Sequence, residues 1–430
     1  MELVITAHST QRPKPTIRTA ASPHRNAHPM RIHNTVPILC AIALAVALPL
    51  SPQPARAEHP HAPTEGLLSL DVCTHNNRIH LLTGESPASG APAQLLHRVS
   101  TDNGVTWTNP VRVDTHCPPP FGLRRGMDAR ITAHGDHLLA AWTTAGTDAW
   151  GSGPLTTALS EDGGRTWTVG PNPADDRSTT GHGFHALAAE PSGTLHLIWL
   201  DSRDGRQGLR HARSSDHGRH WSTNKTLKAA TCECCSNALA ISPDGTAAAL
   251  FRDGDPRDLS LAHSTKTDAP WTLRGPAAPF DWRFNGCPHV GGALAFSTKN
   301  TLHAALWTGA EGKTGVYHRS TDSLGSEWSA LTKLGSDTAS HPDLATASDG
   351  TGVVLVWDQP TETRSAIWAA TSRDNGLSWS APVRLSTDSA DATNPRIVPV
   401  TSGYRVFWTQ QQPQRPPTLG SAHLPKEPQP

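Results

Sequence analysis

An eight-residue pattern, Ser-x-Asp-x-Gly-x-x-Trp, recurs along the chain and constrains its fold more than any other feature. Clear copies begin at residues 100, 160, 214 and 372, a copy with one inserted residue begins at 320, and a worn copy begins at 264. Successive copies start 50 to 60 residues apart. Regular self-similarity at such a period indicates an array in which each repeat is one supersecondary unit.

The pattern reads as a tight turn with a physical mechanism. Its Asp carboxylate accepts backbone N–H groups, its Gly tolerates positive φ, and its Trp packs between neighbouring layers. We therefore predict a structural role, and no direct chemistry, for the Asp of each of the five better copies, which are Asp102, Asp162, Asp216, Asp322 and Asp374.

A second repeat lies between these turns, a short apolar strand that often ends in Trp. Examples are "HLLAAWTT" (137–144) and "TLHLIWLD" (194–201), and the chain contains seven such strands. Each is preceded by a strand and a turn, and each is followed by a third strand that enters the Ser-x-Asp turn. The repeating unit is therefore a four-stranded antiparallel meander. Seven strands favour seven units, the last without its own Ser-x-Asp turn, and the six turns leave six units as the alternative.

These repeats resemble the Asp-box (BNR) repeats of sialidase-like β-propellers, and the resemblance runs from about residue 66 to residue 424. The C-x-C-C cluster at 232–235 and "GCPH" at 286–289 resemble an exported bacterial subgroup of that superfamily. The resemblance implies an all-β propeller whose Asp-box turns join the third and fourth strands of each blade. Family sialidases have six blades, whereas the strand count here predicts seven.

Composition agrees with such a fold and narrows the partners. Gly (35) and Pro (37) are abundant, as many short strands joined by tight turns require. Lys+Arg and Asp+Glu are 37 each, so nothing in the charge favours a nucleic acid or an anionic membrane. We expect a monomer that binds a metal, a small molecule or a glycan.

The N-terminal region predicts export. An apolar run (36–50) follows Arg31 and leads to Ala55-Arg56-Ala57, so we expect a signal peptide cut after Ala57, with Met30 as the start. The alternative is a genuine N-terminal extension. Residues 1–57 then form the extension and signal, 58–65 a linker, 66–424 the propeller, and 425–430 a disordered tail. The apolar run is short for a membrane span, so the mature protein is expected to be periplasmic or secreted, without an anchor.

Six cysteines remain after removal of the signal peptide, and an even number in an oxidising compartment favours disulfides. Yet cysteines and histidines recur at one position, just before or within the start of the innermost strand of each repeat, where residues meet around the channel. Soft thiolates with imidazoles suit copper or zinc, and copper is favoured in an exported protein. The candidate metal ligands are Cys232, Cys234, Cys235, Cys287, His289, His182, His185 and His341. Cys73, His75 and Cys117 are placed in the same zone. Disulfide bracing, for example between Cys73 and Cys117, and a metal or redox centre remain alternatives.

The family resemblance also implies an exo-α-sialidase or related glycoside hydrolase, which needs an arginine triad and a tyrosine nucleophile. Asp128, Arg130 and Arg396 are partial counterparts, but Tyr317 and Tyr404 both fall outside the innermost strands. A third alternative is a non-catalytic module that recognises a glycan or a protein. Its ligand rim would lie on the loops after the Trp-ending strands, at Arg203, Arg252, Asp253 and Arg257.

Overall fold

The computed structural model describes residues 65–266, 269–350 and 352–426, which contain 27 β-strands in seven antiparallel sheets. Within these ranges no helix is long and apolar enough to cross a membrane. The predicted extension and signal (1–57), its cleavage after Ala57, the linker up to residue 64 and the tail from residue 427 lie outside the described residues.

The strands follow the chain in order, and each consecutive group forms one blade. Blades 1 to 3 comprise β1 (Gly66–His75), β2 (Arg78–Ser86), β3 (Gln94–Ser100), β4 (Val111–Arg112), β5 (Arg130–His134), β6 (His137–Ala145), β7 (Ser152–Ser160), β8 (Thr168–Gly170), β9 (Gly183–Ala189), β10 (Leu195–Asp201), β11 (Gly208–Ser214) and β12 (Lys225–Lys228). Blades 4 and 5 comprise β13 (Ala238–Ile241), β14 (Ala247–Arg252), β15 (Leu259–Ser264), β16 (Thr272–Pro276), β17 (Ala293–Phe296), β18 (Leu302–Thr308), β19 (Gly315–Thr321) and β20 (Thr332–Lys333). Blades 6 and 7 comprise β21 (Ser340–Thr346), β22 (Val353–Pro360), β23 (Ser365–Ser372), β24 (Val383–Arg384), β25 (Asp391–Val400), β26 (Gly403–Gln411) and β27 (Thr418–Pro425).

The seven sheets close into a ring through their first strands. These strands contact one another in the order β1, β5, β9, β13, β17, β21 and β25, and β25 returns to β1. The chain is therefore a seven-bladed β-propeller, which confirms the strand count, and the six-blade alternative is wrong. In the described residues blade 7 has three strands, and it has no Asp box.

Strand direction gives the two faces of the ring different contents. In an antiparallel meander, the turn between the first and second strands and the turn between the third and fourth emerge on one side. We call this side the box face, because the Asp boxes occupy the latter turns. The opposite side, the mouth face, carries the loops between second and third strands and the connections from one blade to the next. The blade-to-blade connections bring distant segments of the chain to the entrance of the channel.

The Asp-box turns are held as the residue types require. Asp162 accepts hydrogen bonds from the backbone N–H groups of Arg165 and Thr166, both at 2.9 Å, and from the Thr166 hydroxyl at 2.7 Å. These bonds lower the pKa of Asp162 to about 2 despite the desolvation that opposes them. Equivalent bonds are made by Asp102, Asp216 and Asp374.

The prediction for Asp322 is wrong. In this turn Thr321 Oγ1 accepts the Gly325 N–H at 3.1 Å, and Ser323 Oγ accepts the Glu327 N–H at 2.9 Å. Thr321 and Ser323 therefore occupy the positions of Ser and Asp, whereas Asp322 is exposed between them. The apparent insertion arose because the repeat was aligned on Asp322, whereas the residue at the Asp position is Ser323.

Paired histidines form a second repeated element, which the sequence analysis did not identify. In blades 1, 3 and 5 a histidine of the second strand is hydrogen-bonded ring to ring with a histidine of the third strand. The pairs are His80–His97 (3.1 Å), His196–His211 (3.0 Å) and His303–His318 (3.1 Å). All six are buried, and the third-strand rings pack edge-on against the Asp-box tryptophans Trp167, Trp271 and Trp379 of the next blade. They therefore join one blade to the next.

Cys73 and His75 do not lie at the mouth as predicted. The innermost strand of blade 1 begins at Gly66, so these two residues are at its far end, beside the turn into β2. The His75 ring contacts His134, which ends β5 on the same side. Both residues therefore belong to the box face. Cys73 is consequently on the opposite face of the ring from Cys117, which lies in the connection between blades 1 and 2, with its sulfur 3.9 Å from the Thr157 carbonyl of β7.

Candidate metal centre

Three cysteines of the connection between β12 and β13 form a compact sulfur cluster on the mouth face. Cys232 Sγ lies 3.3 Å from Cys235 Sγ and 3.8 Å from Cys234 Sγ. All three side chains are buried, and Phe184 packs against them. The backbone N–H of Cys232 donates to the carbonyl of Arg252 at 2.9 Å, which ties the cluster to the end of β14.

Two arginines of the predicted ligand rim, Arg252 and Arg257, border the cluster. Arg257 Nη1 lies 3.0 Å from Cys232 Sγ, and its Nε donates to the Phe284 carbonyl at 2.7 Å. Arg252 is almost fully buried, and its Nη2 donates to the carbonyls of Val290 and Trp307. The rim prediction is therefore wrong for Arg252, because its side chain is buried beside the sulfur atoms, whereas Arg257 is half-buried with its guanidinium against Cys232.

Arg252 is further fixed by aromatic contacts. Its guanidinium lies over the rings of Trp282, at 5.1 Å, and Trp307, at 5.6 Å. Cation–π contacts of this kind hold a desolvated arginine in place. A permanent positive charge is thus fixed beside the buried thiols, and this charge favours their ionised forms.

A second group, Cys287 and His289, reaches the cluster from the connection between β16 and β17. Its ligand atoms and the sulfur of Cys234 lie within 4.8 Å of one another, as do those of Cys232, Cys234 and Cys235. His289 adopts positive φ (55°), and its Nδ1 lies 3.1 Å from the Cys234 carbonyl. The structure therefore brings together five of the eight predicted metal ligands.

The cysteines differ in acidity according to their surroundings. Hydrogen bonding with Cys234 and Cys235 and, more weakly, the charge of Arg257 lower the pKa of Cys232. Hydrogen bonding within the cluster and burial raise the pKa of Cys234. Burial raises the pKa of Cys117 to about 11 and also raises that of Cys73. Cys232 is therefore the first of the cluster thiols to ionise, whereas Cys73 and Cys117 stay protonated at neutral pH.

The other three predicted ligands are held elsewhere. His182 Nδ1 lies 2.8 Å from the Thr180 carbonyl, His185 Nε2 lies 2.9 Å from the Ala141 carbonyl, and His341 Nδ1 lies 2.8 Å from Asp358 Oδ2. Among the described residues, none of the three shares a group of mutually close ligand atoms with a cysteine. Each nevertheless lies just before or within the start of an innermost strand.

His182 does lie within 4.8 Å of two carboxylates, those of Asp176 and Asp201. Both carboxylates are already paired with cations, since Arg203 contacts each of them and Arg210 Nε donates to Asp201 at 2.9 Å. This group is an ion-pair network in which arginines occupy the place that a metal would take. Arg203, a residue of the predicted ligand rim, is therefore paired with Asp176 and Asp201 in this network.

The weak catalytic candidates lie in a buried charged network near the axis. Asp128 Oδ1 accepts from Arg125 Nε at 2.9 Å, and Arg396 Nη2 lies 3.6 Å from Asp128 Oδ2. Arg130 Nη1 contacts Asp71 at 3.1 Å. Asp128, Arg130 and Arg396 therefore belong to one charged network, in which each arginine has an acidic partner within the protein.

Neither tyrosine reaches this network. The Tyr317 hydroxyl donates to the Lys313 carbonyl at 2.6 Å, and its ring packs against Phe280 in blade 5. Tyr404 is buried between blades 6 and 7, and burial raises its pKa. A sialidase-type nucleophile is therefore missing from the described residues near the axis.

The two cavities and the Asp253 side chain lie apart from the predicted metal ligands. Two cavities of about 740 and 790 Å³ flank blade 7, and neither is lined by a predicted metal ligand. Asp253 contacts Ser260 and lies 3.3 Å from Lys228 Nζ, so it too is paired.

Trp150 was not predicted as a site residue, yet it is 87% exposed on the loop between β6 and β7 of the mouth face. Its position outside both repeated strand patterns was the available signal.

Comparison with known proteins agrees with the architecture. A family model described as a BNR repeat-like domain matches residues 136–406. An ulvan lyase, a polysaccharide lyase solved with -[GlcA(1-4)Rha3S]- bound, is similar with a TM-score of 0.57 and 10% identity, over 85% of this chain and 95% of its own. The polysaccharide lyase Uly1 is similar with a TM-score of 0.52 and 9% identity, over 82% of this chain and 89% of its own. At these identities the likeness concerns the fold alone.

No curated protein matches the sequence. The family match covers more than half of the chain, and the ring of seven sheets has the arrangement that the Asp-box repeats imply. The chain therefore belongs to the BNR repeat-like family and is a seven-bladed β-propeller.

Proposed function

We propose that this protein binds a thiophilic metal ion, copper before zinc, through the sulfur atoms of Cys232, Cys234 and Cys235. The observation that carries the proposal is the packing of these three buried sulfurs within 4.8 Å of one another. Metal–sulfur bonds of about 2.3 Å place ligand atoms roughly 3.8 Å apart around a tetrahedral ion. The contacts of Cys232, at 3.3 and 3.8 Å, approach that spacing before any ion is bound.

The chemistry of the donors favours monovalent copper. Thiolates are soft ligands that select Cu(I), zinc or iron–sulfur clusters. Structural zinc usually takes four protein ligands, whereas a set of three thiols suits an ion that accepts fewer donors. The bound group would sit against Phe184 and behind Arg252, away from bulk water. Those residues would limit access of oxidants to the metal and its thiolates.

The surrounding charge also supports this function. Ligand thiols must lose their protons to bind a metal, so a metal–thiolate centre is anionic. Arg252 and Arg257 place two guanidinium groups beside the cluster. They offset the charge that three thiolates would otherwise concentrate in a buried place, where an unpaired charge is strongly unfavourable.

The test is a titration of reduced protein with Cu(I) under anaerobic conditions, in competition with a chromophoric Cu(I) chelator, repeated with zinc. We expect tight Cu(I) binding that is lost in the Cys232→Ser/Cys234→Ser/Cys235→Ser variant. Cys117→Ser is the matched control, since Cys117 lies in another blade-to-blade connection and should leave binding unchanged. Equal affinity in the triple variant and the wild type would refute the proposal, as would failure of both ions to bind.

A dithiol–disulfide centre is the second candidate, and one distance favours it. Cys232 and Cys235 have C-x-x-C spacing, and their sulfurs lie 3.3 Å apart, so a small movement would bring them within bonding distance. The described cysteines have free thiols in this structure. If this candidate is correct, oxidation of the metal-free protein reversibly blocks two thiols in the wild type and none in the Cys235→Ser variant. The Cu(I) titration then shows no binding.

Recognition of a glycan is a further candidate, favoured by the exposed indole of Trp150 on the mouth face. Tryptophan is enriched at binding interfaces, because its ring offers a large apolar surface together with an N–H donor. Trp150→Ala should then weaken retention on an anionic polysaccharide matrix. Leu377→Ala is the control, since Leu377 is comparably exposed, at 79%, in an Asp box on the opposite face. Equal retention of both variants would exclude this role for Trp150.

A further inference from the structure

We infer that the centre has two metal positions that share the sulfur of Cys234. The inner position is formed by Cys232, Cys234 and Cys235, and the outer position by Cys234, Cys287 and His289. This inference rests on the proposed metal-binding function and deepens it. Three groups of mutually close ligand atoms are found in the described part of the chain, and Cys234 is the one residue that the two cysteine-containing groups share.

The two positions differ in exposure, which gives them different roles. The three inner cysteines are buried, at 2, 6 and 1% exposure for Cys232, Cys234 and Cys235. Cys287 is exposed and His289 is half-buried. An incoming ion held by a small carrier can therefore reach the outer ligands directly, whereas the inner sulfurs are screened. The outer position is the entry to the inner one.

The orientation of His289 suits a ligand. Its Nδ1–H donates to the Cys234 carbonyl at 3.1 Å, and this bond selects the tautomer with its lone pair on Nε2. Metal-binding histidines commonly donate their second ring N–H to a carbonyl in this way. The same bond ties the connection that carries His289 to the residue that both positions share.

Three guanidinium groups border the two positions and offset the charge of their thiolates. Arg124 faces Cys234 and Cys287 from the connection between blades 1 and 2, and Arg252 and Arg257 border the inner cysteines. Four thiolates and three guanidiniums leave a single negative charge, so one bound Cu(I) makes the centre neutral and a second leaves it with a single positive charge. Each position therefore has at least one arginine beside its sulfur ligands.

Movement between positions is a ligand exchange without electron transfer. The ion keeps its bond to Cys234 Sγ while its bonds to Cys287 Sγ and His289 break and bonds to Cys232 Sγ and Cys235 Sγ form. The Cys232 and Cys235 thiols release their protons to solvent as they bind, and Cys287 takes up a proton as the ion leaves it. Copper stays monovalent throughout.

The experiment measures stoichiometry and loading by anaerobic Cu(I) titration of three reduced proteins. We expect two equivalents for the wild type and one for Cys287→Ser/His289→Ala, which retains the inner position but loads it more slowly from a Cu(I)–glutathione donor. His116→Ala/Cys117→Ser is the matched control, a Cys–His pair in another connection on the mouth face, and should bind two equivalents at the wild-type rate. Thermal unfolding of each metal-free protein checks that the variants are folded.

Two results would overturn the inference. One equivalent in the wild type, unchanged in affinity and loading rate by Cys287→Ser/His289→Ala, would leave a single inner site and the proposed function intact. Two equivalents retained by that variant would place the second ion elsewhere. Failure of the wild type to bind any Cu(I) refutes the proposed function itself, so the two failures are distinguishable.

Discussion

Arg257 Nη1 lies 3.0 Å from Cys232 Sγ, although the two residues belong to different loops of the mouth face. Arg257 follows β14, whereas Cys232 precedes β13, and the Phe284 carbonyl fixes the arginine from a third segment. The hydrogen bonds with Cys234 and Cys235 are the larger cause of the lowered pKa of Cys232, and the charge of Arg257 lowers it further.

Replacement of Arg257 by Gln should therefore make Cys232 less reactive. Removal of an opposite charge within 4 to 6 Å typically moves a pKa by about one unit or more, here upward. We expect the pH midpoint for alkylation of Cys232 by iodoacetamide, followed by peptide mass spectrometry, to rise accordingly. Arg283→Gln is the control, because Arg283 is an exposed arginine of the same region that pairs with Asp255 and Asp281. An unchanged midpoint in Arg257→Gln would show that the neighbouring thiols alone set the acidity of Cys232.

The histidine pairs predict an acid-sensitive propeller. Burial lowers the pKa of His80 and His318 to about 3 and that of His97 and His303 to about 4, so these imidazoles are neutral in the folded state. The unfolded chain binds protons below about pH 6.5, while the folded chain does not. Stability is therefore fully present above pH 6.5 and falls as the pH drops toward 4, by about 1.4 kcal/mol per pH unit for each such histidine.

Urea unfolding at pH 7, 6, 5 and 4 measures this loss. The Asp-box carboxylates act in a lower window, because Asp102 and Asp216 have pKa values near 2 in the fold and lose their contribution only below about pH 4. Replacement of the first pair in His80→Leu/His97→Leu should flatten the slope between pH 6.5 and 4. Stability that stays constant from pH 7 to 5 would contradict the neutral, buried state of these rings.

The Asp boxes offer a matched pair of substitutions. Asp162→Ala removes an acceptor of several hydrogen bonds and should lower the free energy of unfolding by about 1–3 kcal/mol. Asp322→Ala should change it by less than about 0.5 kcal/mol, because Thr321 and Ser323 hold that turn and Asp322 is exposed. Chemical denaturation compares the two. A large loss in Asp322→Ala would restore that residue to the structural role that the sequence pattern assigned to it.

The fold was predictable because its determinants are local and repeated. A turn such as that at Asp162 depends on residues four positions apart, and the apolar strands between the turns recur along the chain. The prediction for Asp322 failed although the turn itself is present. Ser323 replaces Asp as the acceptor of the Glu327 N–H, so the hydrogen-bond pattern is kept while the residue types of the repeat pointed to Asp322.

The site was only partly predictable because it depends on the direction of side chains at the ends of strands. The rule that blade-to-blade connections meet at the mouth located Cys232, Cys234, Cys235, Cys287 and His289 correctly. It failed for Cys73, since β1 begins seven residues before it. It also could not reveal that Arg252 turns inward, because that orientation depends on the stacking of Trp282 and Trp307 across two blades.

The charged network at the axis makes the last prediction, and its outcome separates a structural role from a ligand-binding role. Arg125 donates to Asp128, whose side chain is fully buried, and to Thr409 of blade 7. Arg125→Ala would leave the Asp128 carboxylate with the 3.6 Å contact of Arg396 and the backbone N–H groups of Leu70 and Gly126, so we expect a loss of about 1–3 kcal/mol in the free energy of unfolding. Arg98→Ala, which breaks a half-exposed pair with Glu85, should cost less than about 1 kcal/mol. Because a ligand carboxylate would have to displace Asp128 from its arginines, a large loss in Arg125→Ala argues that these arginines hold the ring together. A loss no larger than that of Arg98→Ala would instead mean that the guanidinium groups are available to an anionic ligand in the channel.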